Sequence, residues 1–385
     1  MIMPFLAFYI QDLGVTDEKS VNFWAGIIFA ANFITVFIFQ PVWGRLADRY
    51  GRKMMVLRSG FGMSIVMVLM GFATNVWHLL ILRILNGTIS GFIAAATSLV
   101  SASTPKQHAG FAMGVLQSGS VAGTILGPLI GGLLAEVVGF APIFYITGTL
   151  IFLATMLCLF LVREDFDRSK ASKQPNIGTL QGLRQLWKIP QLPALFAVTF
   201  MIQFAILSSM PQLPIFIQQM HGNVEYLAFL AGLVGAVTGV SNMVFSPILG
   251  RVGDKIGSLK ILAICIIGAA VCFIPQAFVQ NVWQLLIARF FFGCFVGGLL
   301  PSVNALIRQY TPENMVSRSY GFNSSSLALG NMIGPTFGGI FAAFVGIREI
   351  FLVASIMLAI NAVWVWMRLI RPAAKTRGKS SGEAS

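Results

Sequence analysis

The sequence predicts an all-α membrane protein built from two six-helix bundles. Three observations predict it. The 385-residue chain is 56% hydrophobic and only 10% charged, whereas soluble globular proteins carry about 25% charged residues. Apolar runs of about 20 residues, long enough to cross a bilayer as a helix, recur from end to end. The second half also repeats the first in register.

The runs lie near 1–11, 23–43, 54–74, 77–99, 110–135, 142–162, 192–217, 226–248, 259–279, 283–306, 319–345 and 348–369. A membrane barrel would instead alternate apolar and polar residues over segments of about 10. These runs are continuous and rich in Leu, Ile, Ala, Phe and Gly, and a helix satisfies its own backbone in lipid. Residues 75–83 (NVWHLLILR) recur at 281–289 (NVWQLLIAR), an offset of 206. The same offset carries Gly44, Asp48, Gly87 and Gly91 onto Gly250, Asp254, Gly293 and Gly297. At offset 207, Gly123, Gly127, Pro128, Gly131 and Gly132 fall on Gly330, Gly334, Pro335, Gly338 and Gly339. Such registration marks a duplication.

The first run is too short to span. Met3-Pro4 aligns with Met210-Pro211, yet the second half has a further apolar stretch at 192–209 before that point. Helix 1 is therefore expected to be truncated, through a misassigned start or loss of a half-helix. The expected organisation is a first bundle at 1–162, a polar linker at 163–191, a second bundle at 192–370 and a disordered basic tail at 371–385. In the linker, Leu180, Leu183, Leu186 and Trp187 beside Arg184 and Lys188 predict a short amphipathic helix on the inner leaflet.

The net charge of +13 does not imply nucleic acid, because the charges are sorted by loop. Arg83 and Arg289 fall inside predicted spans, and Lys19 and Arg348 in one set of alternate loops. Nearly all other Lys and Arg gather in the opposite set or the tail. This positive-inside pattern places those loops and the C-terminus in the cytoplasm. The four cysteines (Cys158, Cys265, Cys272, Cys294) lie in apolar runs without CxxC spacing, which predicts neither disulfide nor metal. No GxxxxGK[ST], HExxH or GxSxG occurs and the three His are scattered, so an enzyme lacks candidates. No cofactor is expected, which leaves an ion gradient as the energy source.

Three motifs carry the functional reading. The loop after the second run contains Gly44, Asp48, Arg49, Gly51, Arg52 and Lys53. Its glycines permit close approach and a tight turn, and Asp48 suits a neighbouring helix N-terminus. The arginines and Lys53 can pair with Asp48 or with lipid phosphate. Asp254 belongs to a degraded copy. This reads as a conformational latch, or as a basic loop obeying charge sorting. Arg83 lies about 10 Å into its helix at 1.5 Å per residue, followed by Asn86, Gly87 and Gly91. An intramembrane charge marks function, or a structural contact to helix-end carbonyls. Gly119, Gly123, Gly127 and Gly131 form a one-face stripe that allows close backbone approach, with Pro128 and Gly132 alongside.

The first string resembles the G-x-x-x-D-R-x-G-R-[RK] signature of the major facilitator superfamily. The second resembles that family's R-x-x-x-G-x-x-x-G. The third resembles the antiporter motif of its drug–proton branch, which includes twelve-helix multidrug and tetracycline exporters. The resemblance covers nearly the whole chain. It implies the major facilitator fold, a bacterial inner-membrane location, Arg83 in proton coupling, and proton-coupled efflux of lipophilic or cationic drug-like substrates by a monomer. The proton-accepting carboxylate is unassigned, with the absent segment of helix 1, Glu136 or another of the acidic residues as its place. Cavity candidates are Phe5, Phe8, Tyr9, Asn86, Gln117, Gln203, Met210, Gln212, Asn242, Asn304 and Asn323, from the need for apolar walls with a few polar groups. Rival readings are an exporter of a narrow substrate (sugar, amino-acid derivative or lipid) and a non-transporting membrane receptor or scaffold.

Overall fold

The computed structural model describes residues 6–15, 18–164, 178–210, 213, 216–217, 220 and 227–371. Among them there is no strand, as lipid requires of a non-barrel chain. The helices are α1 (Leu6–Asp12), α2 (Glu18–Tyr50), α3 (Arg52–Gly71), α4 (Val76–Ile89), α5 (Phe92–Ser103), α6 (Ala109–Val138) and α7 (Phe140–Leu161). They continue with α8 (Thr179–Trp187), α9 (Gln191–Ser209), α10 (Leu227–Ile256), α11 (Ser258–Phe278), α12 (Val282–Tyr310), α13 (Val316–Val345) and α14 (Ile347–Val365). Nine of the described spans are long and apolar enough to cross a bilayer.

Among the described residues, each predicted run from 23 onward is mostly helical. The run 77–99 falls in one apolar span, Val76–Ser103, and that span is interrupted. It breaks at Ser90-Gly91 into α4 and α5, whereas its repeat copy, α12, is continuous.

Local chemistry sets the junctions, and the duplication preserves it. Asn75 caps α4 through a bond from the His78 N–H (2.9 Å), and Asn281 caps α12 through the Gln284 N–H (2.9 Å). Gly51 and Gly257, 206 residues apart, turn the chain at φ 99 and 104. These left-handed conformations disfavour any residue with a Cβ.

Contacts divide the chain into two compact units. One comprises Met1–Leu99, Gly123–Gly182 and Pro312–Leu329; the other comprises Val100–Ala122, Leu183–Thr311 and Gly330–Ser385. In the first unit, Tyr9, Ile28, Met70, Leu79 and Phe144 form a core. Tyr9 is 4% exposed, packs on Phe144 at 4.8 Å and donates its hydroxyl to the Met70 carbonyl at 2.8 Å. In the second unit the repeat positions hold Phe216 and Phe351, whose rings lie 5.1 Å apart. Large side chains such as Ile65, Phe160 and Val271 are exposed, as suits a lipid-facing surface.

The linker helix α8 turns Gly182 and Leu186 inward and leaves Leu180 and Trp187 exposed. The expected short helix is therefore present, with Leu186 packed against protein.

Candidate functional site

The signature loop closes onto a helix start. Asp48, at the end of α2, accepts the Ser317 N–H on Oδ1 (2.9 Å) and the Arg318 N–H on Oδ2 (3.0 Å). These are the first free amides of α13, where negative charge is favoured. Charge-assisted bonds of this kind are stronger than neutral ones. Gly44 is required at the crossing, since a Cβ there would lie 2.6 Å from the Ser317 carbonyl oxygen. Arg52 Nε donates to Ser317 Oγ (3.1 Å), which also bonds Ser98 Oγ (2.6 Å).

Of the loop's basic residues, Arg52 acts on Asp48 by its charge, and the other two make contacts elsewhere. Arg49 is exposed, its guanidinium 5.5 Å from the Tyr50 ring. Lys53 Nζ donates to the Leu159 carbonyl at 2.7 Å. Glu164 instead accepts the backbone N–H of Arg52 (3.0 Å) and of Lys53 (2.8 Å), capping α3. Sequence reasoning gave Glu164 no role; its only signal was a carboxylate just past an apolar run.

The degraded copy makes the corresponding closure. Asp254 accepts the Gly110 N–H (2.7 Å) and the Phe111 N–H (2.8 Å) at the start of α6. Gly110 and Gly250 meet backbone to backbone, and a Cβ on Gly110 would lie 2.5 Å from the Gly250 carbonyl oxygen. Ser258 stands where the first copy has Arg52. A cavity of about 310 Å³ lies beside Asp254, lined by Gln107, Ser258 and Arg308.

Arg83 sits on the face of α4 that also buries Leu79, Asn86 and Gly87. It is 5% exposed, and its Nε and Nη2 have no hydrogen-bond partner. Burying an incompletely paired charge in a membrane costs several kcal/mol. Asn86 Nδ2 donates to Asn32 Oδ1 on α2 at 3.2 Å. Gly87 abuts Thr35 and the Asn32 carbonyl, where a Cβ would have no room. The copy, Arg289, is 1% exposed and likewise leaves Nε and Nη2 unpartnered. It lies 5.6 and 5.7 Å from the Phe292 and Phe351 rings, an arrangement that partly offsets desolvation.

The glycine stripe behaves differently in its two copies. A Cβ on Gly119 or Gly123 would meet nothing within 4 Å, so the expected close approach is not made at these two positions. Gly127 and Gly131 are buried in α6, and the surroundings of Pro128 and Gly132 lie outside the described residues. In α13, a Cβ on Gly330 would lie 2.7 Å from Gln203 Cβ and one on Gly334 would lie 3.0 Å from the Phe204 carbonyl oxygen, while Gly338 abuts the Ser208 carbonyl of α9. There the close packing does occur.

The cavity candidates that the structure describes are divided between the two units. Tyr9 is a core residue, and Phe5, the Phe8 side chain and Gln212 lie outside the described residues. Asn86 and Asn323 are buried in the first unit. Gln203 Nε2 bonds Asn331 Oδ1 at 2.8 Å in the second unit. Gln117, Asn242 and Asn304 are half-buried there, and Met210 is 39% exposed. No group of three or more metal-ligating residues occurs among the described residues.

Known proteins share this sequence and fold. The Major Facilitator Superfamily profile matches residues 1–241 and 228–385. The chain is 40% identical over 372 residues to the multidrug resistance protein MdtG of Salmonella schwarzengrund (strain CVM19633), covering 96% of this chain and 91% of that one. The MdtG of Salmonella arizonae matches with the same figures. Among solved structures, the human organic anion transporter MFSD10 (TETRAN) superposes with TM-score 0.75 at 16% identity, covering 94% of this chain and 89% of that one. The E. coli fucose:proton symporter FucP gives 0.74 at 16% identity over 95% and 96% of the two chains. With its duplicated signature loops, its helical fold and a match along its whole length, the chain belongs to the major facilitator superfamily.

Proposed function

We propose that the protein is a proton-coupled exporter that moves small lipophilic or cationic drug-like molecules out of a bacterial cell by alternating access. The observation that carries this reading is the pair of carboxylate closures. Asp48 and Asp254 each hold a distant helix start through two charge-assisted bonds. Such bonds hold a conformation firmly yet break without covalent change, as a two-state machine needs. The 40% identity to MdtG over 96% of the chain supports the drug substrate class. Arg83, buried and incompletely paired, is the residue assigned to proton coupling, with the gradient rather than a cofactor as energy source. The protein works as a monomer in the inner membrane, its basic loops and C-terminus in the cytoplasm, in line with the positive-inside pattern.

The test is ethidium export from cells lacking their own pumps, with and without a protonophore. Full-length protein, Arg83→Ala and Gly127→Leu are compared at matched expression. Export that the protonophore abolishes, and that both variants lose, supports the reading. Failure of the full-length protein across a wide compound panel would overturn it in favour of a narrow-substrate exporter.

A further inference from the structure

The fourth predicted span is interrupted near its middle. Ser90 takes an extended conformation (φ -55, ψ 141) and α5 begins only at Phe92. A continuous helix would bond the Thr88 and Ile89 carbonyls to the N–H groups of Phe92 and Ile93. Here Thr88 accepts Trp43 Nε1 at 2.6 Å and Ile89 accepts Arg58 Nη2 at 3.0 Å. The Arg58 guanidinium lies 3.5 Å from the Trp43 ring centroid, and a Cβ on Gly91 would sit 3.2 Å from Arg58 Nη2 and 3.3 Å from Trp43 Cβ. All these residues belong to one compact unit.

Irregular backbone at membrane depth survives only where something else satisfies it. Two side chains from α2 and α3 do so, and a cation at the C-terminal end of α4 also meets the negative pole of that helix. The repeat copy provides a control within the molecule. There Trp43 and Arg58 are replaced by Leu249 and Ile264, which cannot donate, and Ser90 by Val296. The corresponding helix α12 runs unbroken from Val282 to Tyr310. Break and clasp occur together or not at all.

We infer that the Ser90-Gly91 break is a hinge of the transport cycle and that Arg58, with Trp43, is the positioning residue that holds it. α4 carries Arg83, Asn86 and Gly87 against α2, while α5 leads away beyond the break. With no helical hydrogen bond from Thr88 or Ile89 into α5, the two segments turn about Ser90 and Gly91. The clasp sets how Arg83 is presented, because side-chain bonds can release and re-form while the flanking helices stay intact. This inference rests on the exporter reading for its flux arm only.

Two measurements test it on the full chain. In proteoliposomes with a pH gradient, Arg58→Leu is expected to lower ethidium turnover about tenfold, the loss of a charged hydrogen bond, with KM changed less than about twofold. Arg58→Lys is expected to recover part of the rate, since an ammonium also donates to carbonyls. In a background with the four cysteines replaced, spin labels at Ile81→Cys and Ile93→Cys report the distance across the break. Two populations whose ratio shifts in Arg58→Leu and Ser90→Val support a hinge. One unchanged distance in all three proteins overturns it, whether or not the protein pumps. Normal turnover in Arg58→Leu beside an active parent overturns it too. An inactive parent counts against the exporter reading, and the distance arm then decides alone.

Discussion

Asp48 holds the N-terminus of α13 by accepting the N–H of Ser317, 269 residues later in the chain, at 2.9 Å. The bonding partners are backbone amides, to which the charges of Arg52 and Arg318 add. Asp48→Asn keeps one acceptor oxygen and loses the charge; Asp48→Ala loses both. Transport is expected to fall in the order Asp, Asn, Ala, with Ala costing at least tenfold, as suits charged hydrogen bonds worth about 1.5–3 kcal/mol. Initial export rates at matched expression check this, and an Ala variant equal to the parent would sink it.

Glu164, just past the end of α7, caps α3. Glu164→Ala is expected to lower the thermal unfolding midpoint in detergent, with a cap of this kind worth about 0.5–2 kcal/mol. Glu164→Gln should fall between Ala and the parent, because one amide oxygen still accepts. Equal midpoints for all three proteins would remove the cap from the account.

Glycines of the same helix divide sharply. Gly110→Ala forces a Cβ to 2.5 Å from the Gly250 carbonyl oxygen and is expected to destabilise by more than about 1 kcal/mol. Gly123→Ala meets open space and should be neutral or slightly stabilising, given alanine's better helix propensity. Unfolding midpoints of the two variants settle this. If Gly123→Ala unfolds normally yet pumps poorly, close packing at Gly123 belongs to another state of the cycle.

The two buried arginines should part company. Arg289→Leu replaces an incompletely paired buried charge with apolar volume, a change that is often neutral or stabilising. It is expected to leave export intact, whereas Arg83→Leu abolishes proton-driven export. Flux with and without the gradient separates them, and an Arg289→Leu variant that cannot couple would show that both copies serve the cycle.

Most of the architecture was legible because it is local. Span positions follow from runs of apolar side chains, and their ends from Asn75, Gly51 and the repeat copies Asn281 and Gly257. The candidate site was half legible. Gly44, Asp48 and Asp254 announced a closure, but their partners Ser317, Arg318, Gly110 and Phe111 contribute backbone, which carries no side-chain signature. Tyr9 read as a cavity aromatic and is a core residue, because nothing in one sequence says which way a helix face turns. Arg58 carried no signal of its own, since its partner is the carbonyl of Ile89.

The sequence by itself determined that this chain lives in lipid, that it is a duplication, and that its basic residues gather in alternate loops. Composition, periodicity and charge sorting act through the solvent, so each can be read without knowing any contact. Only the tertiary structure decided which helix starts the two aspartates hold, that Glu164 caps α3, and that the fourth span is broken and clasped by Trp43 and Arg58. Those outcomes depend on pairs brought together from afar, and a hydrogen bond reaching about 3 Å is decided by packing.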